Sequence, residues 1–372
     1  MIRRICGGLA AVGAVVSLVS VFPARGAESA SSKLAPFFTP PAELANGFGA
    51  FKSPLGFNDG RTVRSAADWQ ERRREILADW HRLMGPWPAL LDKPRVEILE
   101  SRAREDFTQH RVRVEVAAGR LEPGFVLVPP GKGPFPAVLV PYYNPETSIG
   151  LTTNGLRDFA LQLTRRGFVT LSIGSPGGDA RRPDPERPTW QPLSFLGYVA
   201  ANCRTALAQR GDVDPRRIGV VGHSYGGKWA MFASCLHEGF ACAAWSDGGI
   251  VWDEKRPNVN YWEPWYLGRD ASATRKPGVP TEANPRTGAY KELVATGRDL
   301  HELHALMAPR PFLVSGGSED PPERWRALNH SIAVNKLLGH TNRVAMTNRR
   351  THSPTEESNE QIYLFFERFL KR

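Results

Sequence analysis

The segment 222–226 reads Gly-His-Ser-Tyr-Gly, which fits the pattern G-x-S-x-G. The preceding run, 218–221, is short and apolar, and a helical pattern begins at Tyr225, so Ser224 would stand at a strand-to-helix turn. The two glycines relieve crowding at such a turn, which lifts the serine hydroxyl out of the sheet. The pattern therefore predicts a serine nucleophile, and an ordinary tight turn in a glycine-rich loop is the alternative.

A nucleophilic serine needs a base, and in proteins with this motif the base is a histidine near the C-terminus. His352 follows the last predicted strand, 344–347, and precedes a closing helix predicted over 359–371. The other histidines fit the expected loop less well. We therefore predict that His352 is the general base that takes the proton of Ser224.

The third group is a carboxylate that orients the imidazole, and two loops could supply it. Asp320 is preferred because it stands at the usual place after the predicted strand 312–315, and Glu319 beside it is an alternative. Asp247 follows the preceding predicted strand, 241–246, and is the other alternative. An aspartate that is not the acid would favour a turn, since Asp before Gly or Pro suits one.

The oxyanion that forms on attack at a carbonyl needs two fixed N–H donors. We expect one from Tyr225, directly after the nucleophile, and one from the segment 142–144, in which Tyr143 is the candidate. The chemistry calls for no cofactor. A metal site is not expected either, because the sequence has no CxxC pair, and core hydrogen bonding is the favoured role for His301 and His304.

The elements that must position these groups alternate between short apolar strands and helices from residue 96 onward. Antiparallel strands are expected first, over 111–128, followed by a regular β/α alternation. This order predicts an α/β fold with a mostly parallel central sheet and helices on both faces. We expect a catalytic domain over 96–372, preceded by a leader and a helix, capped by Ser65, over 27–95.

The N-terminus reads as a targeting segment. Residues 1–26 are predicted to be an export signal, because basic residues precede an apolar run and small residues follow it. The mature protein would then be secreted or periplasmic and not membrane-bound. Cys6 would leave with the signal, so Cys203, Cys235 and Cys242 could form at most one disulfide.

Charge and aromatic content indicate the class of partner. The net charge is +10, and no nucleic-acid motif accompanies it, so an anionic polysaccharide is a better candidate than DNA. The segment 252–266, in a long irregular insertion, is dense in aromatic and charged residues, which suits stacking on sugar rings. A small core beneath a long loop is an equally good interpretation. Nothing in the sequence indicates an oligomeric state.

Several segments resemble the glucuronoyl esterase family of carbohydrate esterases and its acetyl-xylan-esterase-like relatives. They are 57–60 with 68–76, the elbow with Lys228 four residues after the serine, and 299–311, which reads DLHELHALMAPRP. The resemblance covers nearly the whole mature chain. It implies an α/β-hydrolase fold and a secreted serine esterase that cleaves plant cell-wall polysaccharide esters through an acyl-enzyme.

The same resemblance suggests which residues bind the substrate. Lys228 matches a lysine that contacts the sugar, and Trp262, Glu263 and Trp265 are candidate sugar contacts. Family members carry Cys-Ser-Arg at the elbow, where this chain has His-Ser-Tyr over 223–225, so an acetyl or other ester is an alternative to a uronate ester. A prolyl-oligopeptidase-like peptidase and a catalytically silent carbohydrate-binding protein are the remaining alternatives.

Overall fold

The structure, a computed structural model, describes residues 30–153, 155–182 and 190–371. The predicted export signal, 1–26, lies outside these residues. In the part of the chain that the structure describes, no helix has both the length and the apolar character needed to cross a bilayer.

A sheet of nine strands forms the centre of the described chain. The strands are β1 (Val96–Arg104), β2 (Phe107–Ala117), β3 (Arg120–Val128), β4 (Phe135–Pro141), β5 (Val169–Ile173), β6 (Val213–His223), β7 (Cys242–Ser246), β8 (Phe312–Gly316) and β9 (Val344–Asn348). Their order across the sheet is β1-β2-β3-β5-β4-β6-β7-β8-β9. The first three neighbouring pairs are antiparallel and the other five are parallel, which confirms the predicted mostly parallel sheet.

Helices cover both faces of this sheet, as the sequence predicts. They are α1 (Ala30–Leu34), α2 (Ala66–Met84), α3 (Pro145–Ser148), α4 (Phe159–Arg165), α5 (Pro192–Ala208), α6 (Tyr225–Leu236), α7 (Gly288–Ala295), α8 (His301–Ala305), α9 (Trp325–Leu337) and α10 (Glu356–Leu370). Short 3₁₀ turns precede α9 and follow α1. One core cluster includes residues of α2, α5, α6, α8 and α9, and a second on the other face includes residues of α4 and α10.

Several boundaries differ from the sequence-based expectation. The helix predicted over 154–165 begins only at Phe159, and residue 154 lies outside the described residues. The closing helix begins earlier than predicted, at Glu356, because Thr355 and Ser358 form a capping box. The insertion expected to be irregular contains α7 and α8.

The three described cysteines, Cys203, Cys235 and Cys242, are buried and free. The sequence allowed one disulfide among them, and the structure has none. Burial in apolar surroundings raises the pKa of each thiol, which keeps it protonated and unreactive. The three residues therefore act as small apolar side chains of the core.

The topology gathers the candidate chemical groups at one edge. β6, β7, β8 and β9 are parallel neighbours, so their carboxyl ends lie side by side. Ser224 follows β6, Asp247 follows β7, Asp320 lies just beyond β8, and His352 lies just beyond β9. In open α/β sheets this edge is where ligands bind.

His301 and His304 lie in α8, where the sequence predicted core hydrogen bonding. That prediction is right for His301, whose Nε2 lies 2.6 Å from the carbonyl oxygen of Lys52. Both ring nitrogens of the fully buried His304 lack hydrogen-bond partners among the described residues, and its ring packs against Trp245. Burial lowers the pKa of His304 well below 6.5, so the native state holds it neutral.

We expect His304→Phe to change the acid sensitivity of the fold. A histidine with a lowered native pKa binds its proton in the unfolded state first, so native stability falls as the pH drops below 6.5. Phenylalanine removes this contribution. Between pH 7 and pH 5 the unfolding free energy of the variant should therefore rise relative to wild type by about 2 kcal/mol.

Urea unfolding of both proteins at the two pH values measures this difference. All other titrating groups are common to the two proteins, so they cancel if the sites are independent. A difference that stays constant with pH would contradict the buried neutral state of His304.

Candidate active site

The nucleophile elbow places Ser224 between the end of β6 and the start of α6. Its backbone has φ 55° and ψ −113°, a strained conformation for a residue with a side chain. A Cβ on Gly222 would lie 2.1 Å from the carbonyl oxygen of Gly226, and a Cβ on Gly226 would lie 2.4 Å from that of Pro141. Both positions therefore require glycine, which is the physical reason for the G-x-S-x-G spacing.

Ser224 and His352 meet at this elbow. The Oγ of Ser224 lies 2.8 Å from Nε2 of His352, and Nδ1 of the same ring lies 2.7 Å from Oδ2 of Asp247. An ionised carboxylate can only accept, so Nδ1 carries a hydrogen. In the neutral ring Nε2 is then free to accept the serine proton, which is the state that a general base needs.

Asp247 is fully buried, and its second oxygen is held by the backbone. Oδ1 accepts N–H hydrogen bonds from Gly317 at 2.7 Å, Asp320 at 3.0 Å and Glu319 at 3.1 Å. Donors that converge on an ionised carboxylate stabilise its negative charge. Asp247 is thus fixed in position with one oxygen directed at the imidazole of His352.

The sequence favours Asp320 as the catalytic acid, and this prediction needs correction. Its two oxygens accept the N–H groups of Gly249 at 2.9 Å and Ile250 at 2.6 Å, and the carboxylate that contacts His352 is that of Asp247. Burial, followed by the charge of Asp247, raises the pKa of Asp320 to about 6. Asp320 therefore ties the loop after β7 to the loop after β8.

Glu319, the other alternative, lies close to the same histidine. Ligand atoms of Asp247, Glu319 and His352 all lie within 4.8 Å of one another, a spacing that could hold a cation. The 2.7 Å hydrogen bond between His352 and Asp247 accounts for their contact without one. The Oε1 of Glu319 accepts from Asn258 at 3.2 Å and from Ser318 at 2.9 Å, which turns that oxygen toward other partners.

The two residues expected to supply the oxyanion donors, Tyr225 and Tyr143, pack against each other. Tyr225 is the first residue of α6, and backbone N–H groups in a first turn have no acceptor within the helix. The N–H of Tyr142 donates to the carbonyl of Ile173 at 3.1 Å, which leaves Tyr143 as the better donor of that loop. The rings of Tyr143 and Tyr225 stack with centroids 4.6 Å apart, which holds the two segments together.

Three of the residues predicted to contact a sugar are buried, so the prediction needs correction for them. Nζ of Lys228 donates to the carbonyls of Gly248 at 2.7 Å and Asn258 at 3.0 Å, and burial lowers the pKa of this lysine to about 8. Trp262 is 1% exposed, and the 4% exposed Glu263 pairs with a buried arginine. For these side chains the small-core interpretation of the insertion is the correct one.

Trp265 is the exception, because it lines a pocket next to Tyr225. Most of the side chains that line it are aromatic or apolar, and two arginines and an aspartate also line it. Its lining includes Trp190, Phe195, Tyr225, Trp265, Arg182 and Arg269. Flat apolar faces of this kind are suited to contact with a ring of a substrate.

The contacts of Arg349 have no signal in the sequence, whereas the position of His223 beside the nucleophile indicates that it shapes the elbow. Arg349 donates to the backbone of the loop that carries His352, and the ring of His223 lies 4.8 Å from that of His352. Arg349 stands in an ordinary arginine pair of a surface-like segment, so only the folded contacts distinguish it from its neighbour Arg350.

The sheet, the elbow and the contact between Ser224, His352 and Asp247 define the class of α/β-hydrolase-fold proteins with a nucleophile elbow. Comparison with protein families agrees with this class. The model of the alpha/beta hydrolase family matches residues 149–363, more than half of the chain, and the chain belongs to that family. None of the curated protein sequences compared with the chain matches it.

Solved structures give the same fold. A glucuronoyl esterase from Solibacter usitatus aligns with a TM-score of 0.69 at 19% identity, over 87% of this chain and 98% of its own. A CE15 glucuronoyl esterase from Teredinibacter turnerae T7901 aligns at 0.63 and 20%, over 89% and 91%. A putative acetyl xylan esterase from Bacteroides fragilis NCTC 9343 aligns at 0.55 and 14%, over 85% and 86%. The resemblance seen in the sequence is therefore confirmed at the level of the fold.

Proposed function

We propose that the protein is a secreted or periplasmic serine esterase that acts on carbohydrate esters of the glucuronoyl type. The observation that carries this proposal is the unbroken hydrogen-bonded chain from Ser224 through His352 to Asp247 on a nucleophile elbow. The names of similar structures, which include glucuronoyl esterases and a putative acetyl xylan esterase, support a carbohydrate ester as substrate.

The reaction proceeds in two steps. Oγ of Ser224 attacks the ester carbonyl carbon while its proton passes to Nε2 of His352, and the N–H groups of Tyr225 and Tyr143 stabilise the oxyanion. The intermediate collapses when His352 returns the proton to the leaving alcohol, which leaves an acyl-enzyme on Ser224. Water, activated by the same histidine, then releases the acid. Asp247 stabilises the imidazolium in both steps.

The residue after the nucleophile bears on which ester is cleaved. Tyr225 is buried, and its hydroxyl is hydrogen-bonded to Ser175 at 3.2 Å, so it offers only its backbone N–H to the oxyanion. The glucuronoyl esterases that this sequence resembles carry an arginine at this position, and Tyr225 provides no cation there. The pocket beside Trp265 favours an ester that bears a ring, and an acetyl ester is the alternative substrate.

The substrate is tested with two esters. Purified enzyme is assayed on benzyl glucuronate, with release of benzyl alcohol, and on acetylated xylan, with release of acetate. We expect hydrolysis of the benzyl ester with the higher kcat/KM. Acetate release alone would replace the uronate proposal with the acetyl one. Failure to hydrolyse either ester, together with failure to react with a fluorophosphonate, would favour a catalytically silent binding protein.

We expect Trp265→Ala to weaken binding of ring-bearing esters selectively. Loss of one aromatic face costs about 1 kcal/mol, which corresponds to about a fivefold rise in KM for benzyl glucuronate. The methyl ester of the same acid has no ring in its alcohol, so its KM should stay within about twofold and serves as the control. Equal rises for both esters would show that Trp265 does not contact the alcohol ring.

A further inference from the structure

The guanidinium of Arg349 joins the histidine loop to the end of β8. Nε donates to the carbonyl of Ser353 at 2.8 Å, and Nη2 donates to the carbonyl of His352 at 2.7 Å. On the other side of the group, Nη1 donates to the carbonyls of Ser315 at 2.8 Å and Gly316 at 3.3 Å. One planar side chain therefore fixes the backbone on which His352 stands.

The same guanidinium also reaches the strand beside the nucleophile. Nη2 of Arg349 donates to Oγ of Ser246 at 3.3 Å, and that oxygen lies 3.1 Å from Nδ1 of His223. The carbonyl of Ser246 accepts the N–H of Ser224 at 2.8 Å. Arg349 is thus connected through Ser246 both to the elbow and to the residue that precedes the nucleophile.

Arg349 brings a permanent positive charge to this network. Burial lowers its pKa, while Asp247 and then Asp320 oppose that effect, and an arginine stays protonated throughout the working range. Arg157 is a further cation close to it. Burial, followed by the charges of His352 and Arg349, holds the pKa of His223 well below its usual range, so His223 stays neutral.

We propose that Arg349 is a positioning residue of the active site. It holds His352 at hydrogen-bond distance from Ser224 by fixing the backbone of the loop that carries the histidine. This role rests on the proposed function, because it acts through the histidine that activates the nucleophile. A tether to both the histidine loop and the elbow matters for rate, since a displacement of about 1 Å costs on the order of 100-fold in such reactions.

Two substitutions at position 349 test this tether. Arg349→Lys keeps the charge and loses the planar fork, whereas Arg349→Gln loses the charge. Arg350→Gln is the matched control, because Arg350 is the exposed neighbour in the same segment. Far-ultraviolet circular dichroism and thermal melting establish that each variant is folded before rates are compared.

The readout is the second-order rate constant for labelling of Ser224 by a fluorophosphonate, measured at pH 8. This reaction needs the activated serine but no particular ester. We expect Arg349→Gln to slow labelling by about 30-fold or more at pH 8, because the loop that carries His352 loses its charged tether. Arg349→Lys, whose ammonium can still donate to some of these carbonyls, should recover labelling to within about 10-fold of wild type, and Arg350→Gln should match wild type.

Labelling of folded Arg349→Gln within twofold of wild type, or labelling of Arg349→Lys that is no faster than that of Arg349→Gln, would overturn the positioning role. Failure of the proposed function gives a different result. Wild type that is labelled but hydrolyses no ester contradicts the esterase proposal and leaves the comparison of the Arg349 variants intact, whereas wild type that is not labelled contradicts both.

Discussion

Replacing Ser224 with alanine is expected to lower kcat for hydrolysis of a p-nitrophenyl ester by at least about 10⁴-fold. Without the hydroxyl, His352 has no proton to accept and no covalent intermediate can form. Any remaining acceleration over the uncatalysed hydrolysis in water would then come only from substrate binding and from the oxyanion donors. Initial rates of p-nitrophenol release, with enzyme in large amounts for the variant, measure the loss.

Ser353→Ala is the matched control for this substitution. Ser353 is exposed and adjacent to His352, and alanine keeps the backbone carbonyl that Arg349 contacts. The control should retain wild-type turnover and fluorophosphonate labelling, while Ser224→Ala loses both and keeps its melting temperature within a few degrees. Activity of the Ser224 variant within tenfold of wild type would remove this serine as the nucleophile.

The sequence was informative where residue type and chain order together restrict the structure. G-x-S-x-G between an apolar strand and a helix leaves one conformation in which the chain can turn, since a Cβ at Gly222 or Gly226 would overlap backbone oxygens. Ser224 could therefore be placed at an elbow in advance. His352 could be placed beside it because it was the histidine that followed the last strand.

The acid could not be chosen from the sequence because Asp247 and Asp320 both follow strands that end at the same edge. Which of the two contacts His352 depends on how the loops after β7 and β8 fold against each other. In the fold, the loop after β8 directs three N–H groups at Asp247, while the loop after β7 directs two at Asp320. These are backbone contacts between distant segments, and side-chain identity carries no information about them.

Burial was the second property that residue type did not reveal. Lys228 and Glu263 are charged, and Trp262 is a common sugar-stacking residue, so each suited a binding surface. The fold buries all three, because carbonyl oxygens of the insertion accept from Lys228 and a buried arginine pairs with Glu263. These residues of the insertion therefore belong to a small core, whereas Trp265 lines the pocket.

Two isosteric substitutions distinguish the two aspartates. We expect Asp247→Asn to lower kcat by about 10³- to 10⁴-fold, because an amide at this position no longer holds the imidazole in the tautomer that accepts the serine proton. Asp320→Asn should leave kcat within about threefold. Steady-state kinetics of p-nitrophenyl ester hydrolysis at pH 8 compares the two variants under identical conditions.

The stability of the same variants separates them further. Asparagine at position 320 leaves one of the N–H groups of Gly249 and Ile250 without an acceptor, which should cost about 1 to 3 kcal/mol of unfolding free energy in urea. The loss of kcat and the loss of stability should therefore not be proportional in the two variants. Catalysis depends on the carboxylate of Asp247, which contacts His352, whereas the link between the two loops depends on the carboxylate of Asp320. A large fall in kcat for Asp320→Asn with little change for Asp247→Asn would show that the histidine changes partners during turnover, and that the 2.7 Å contact with Asp247 belongs only to the resting enzyme.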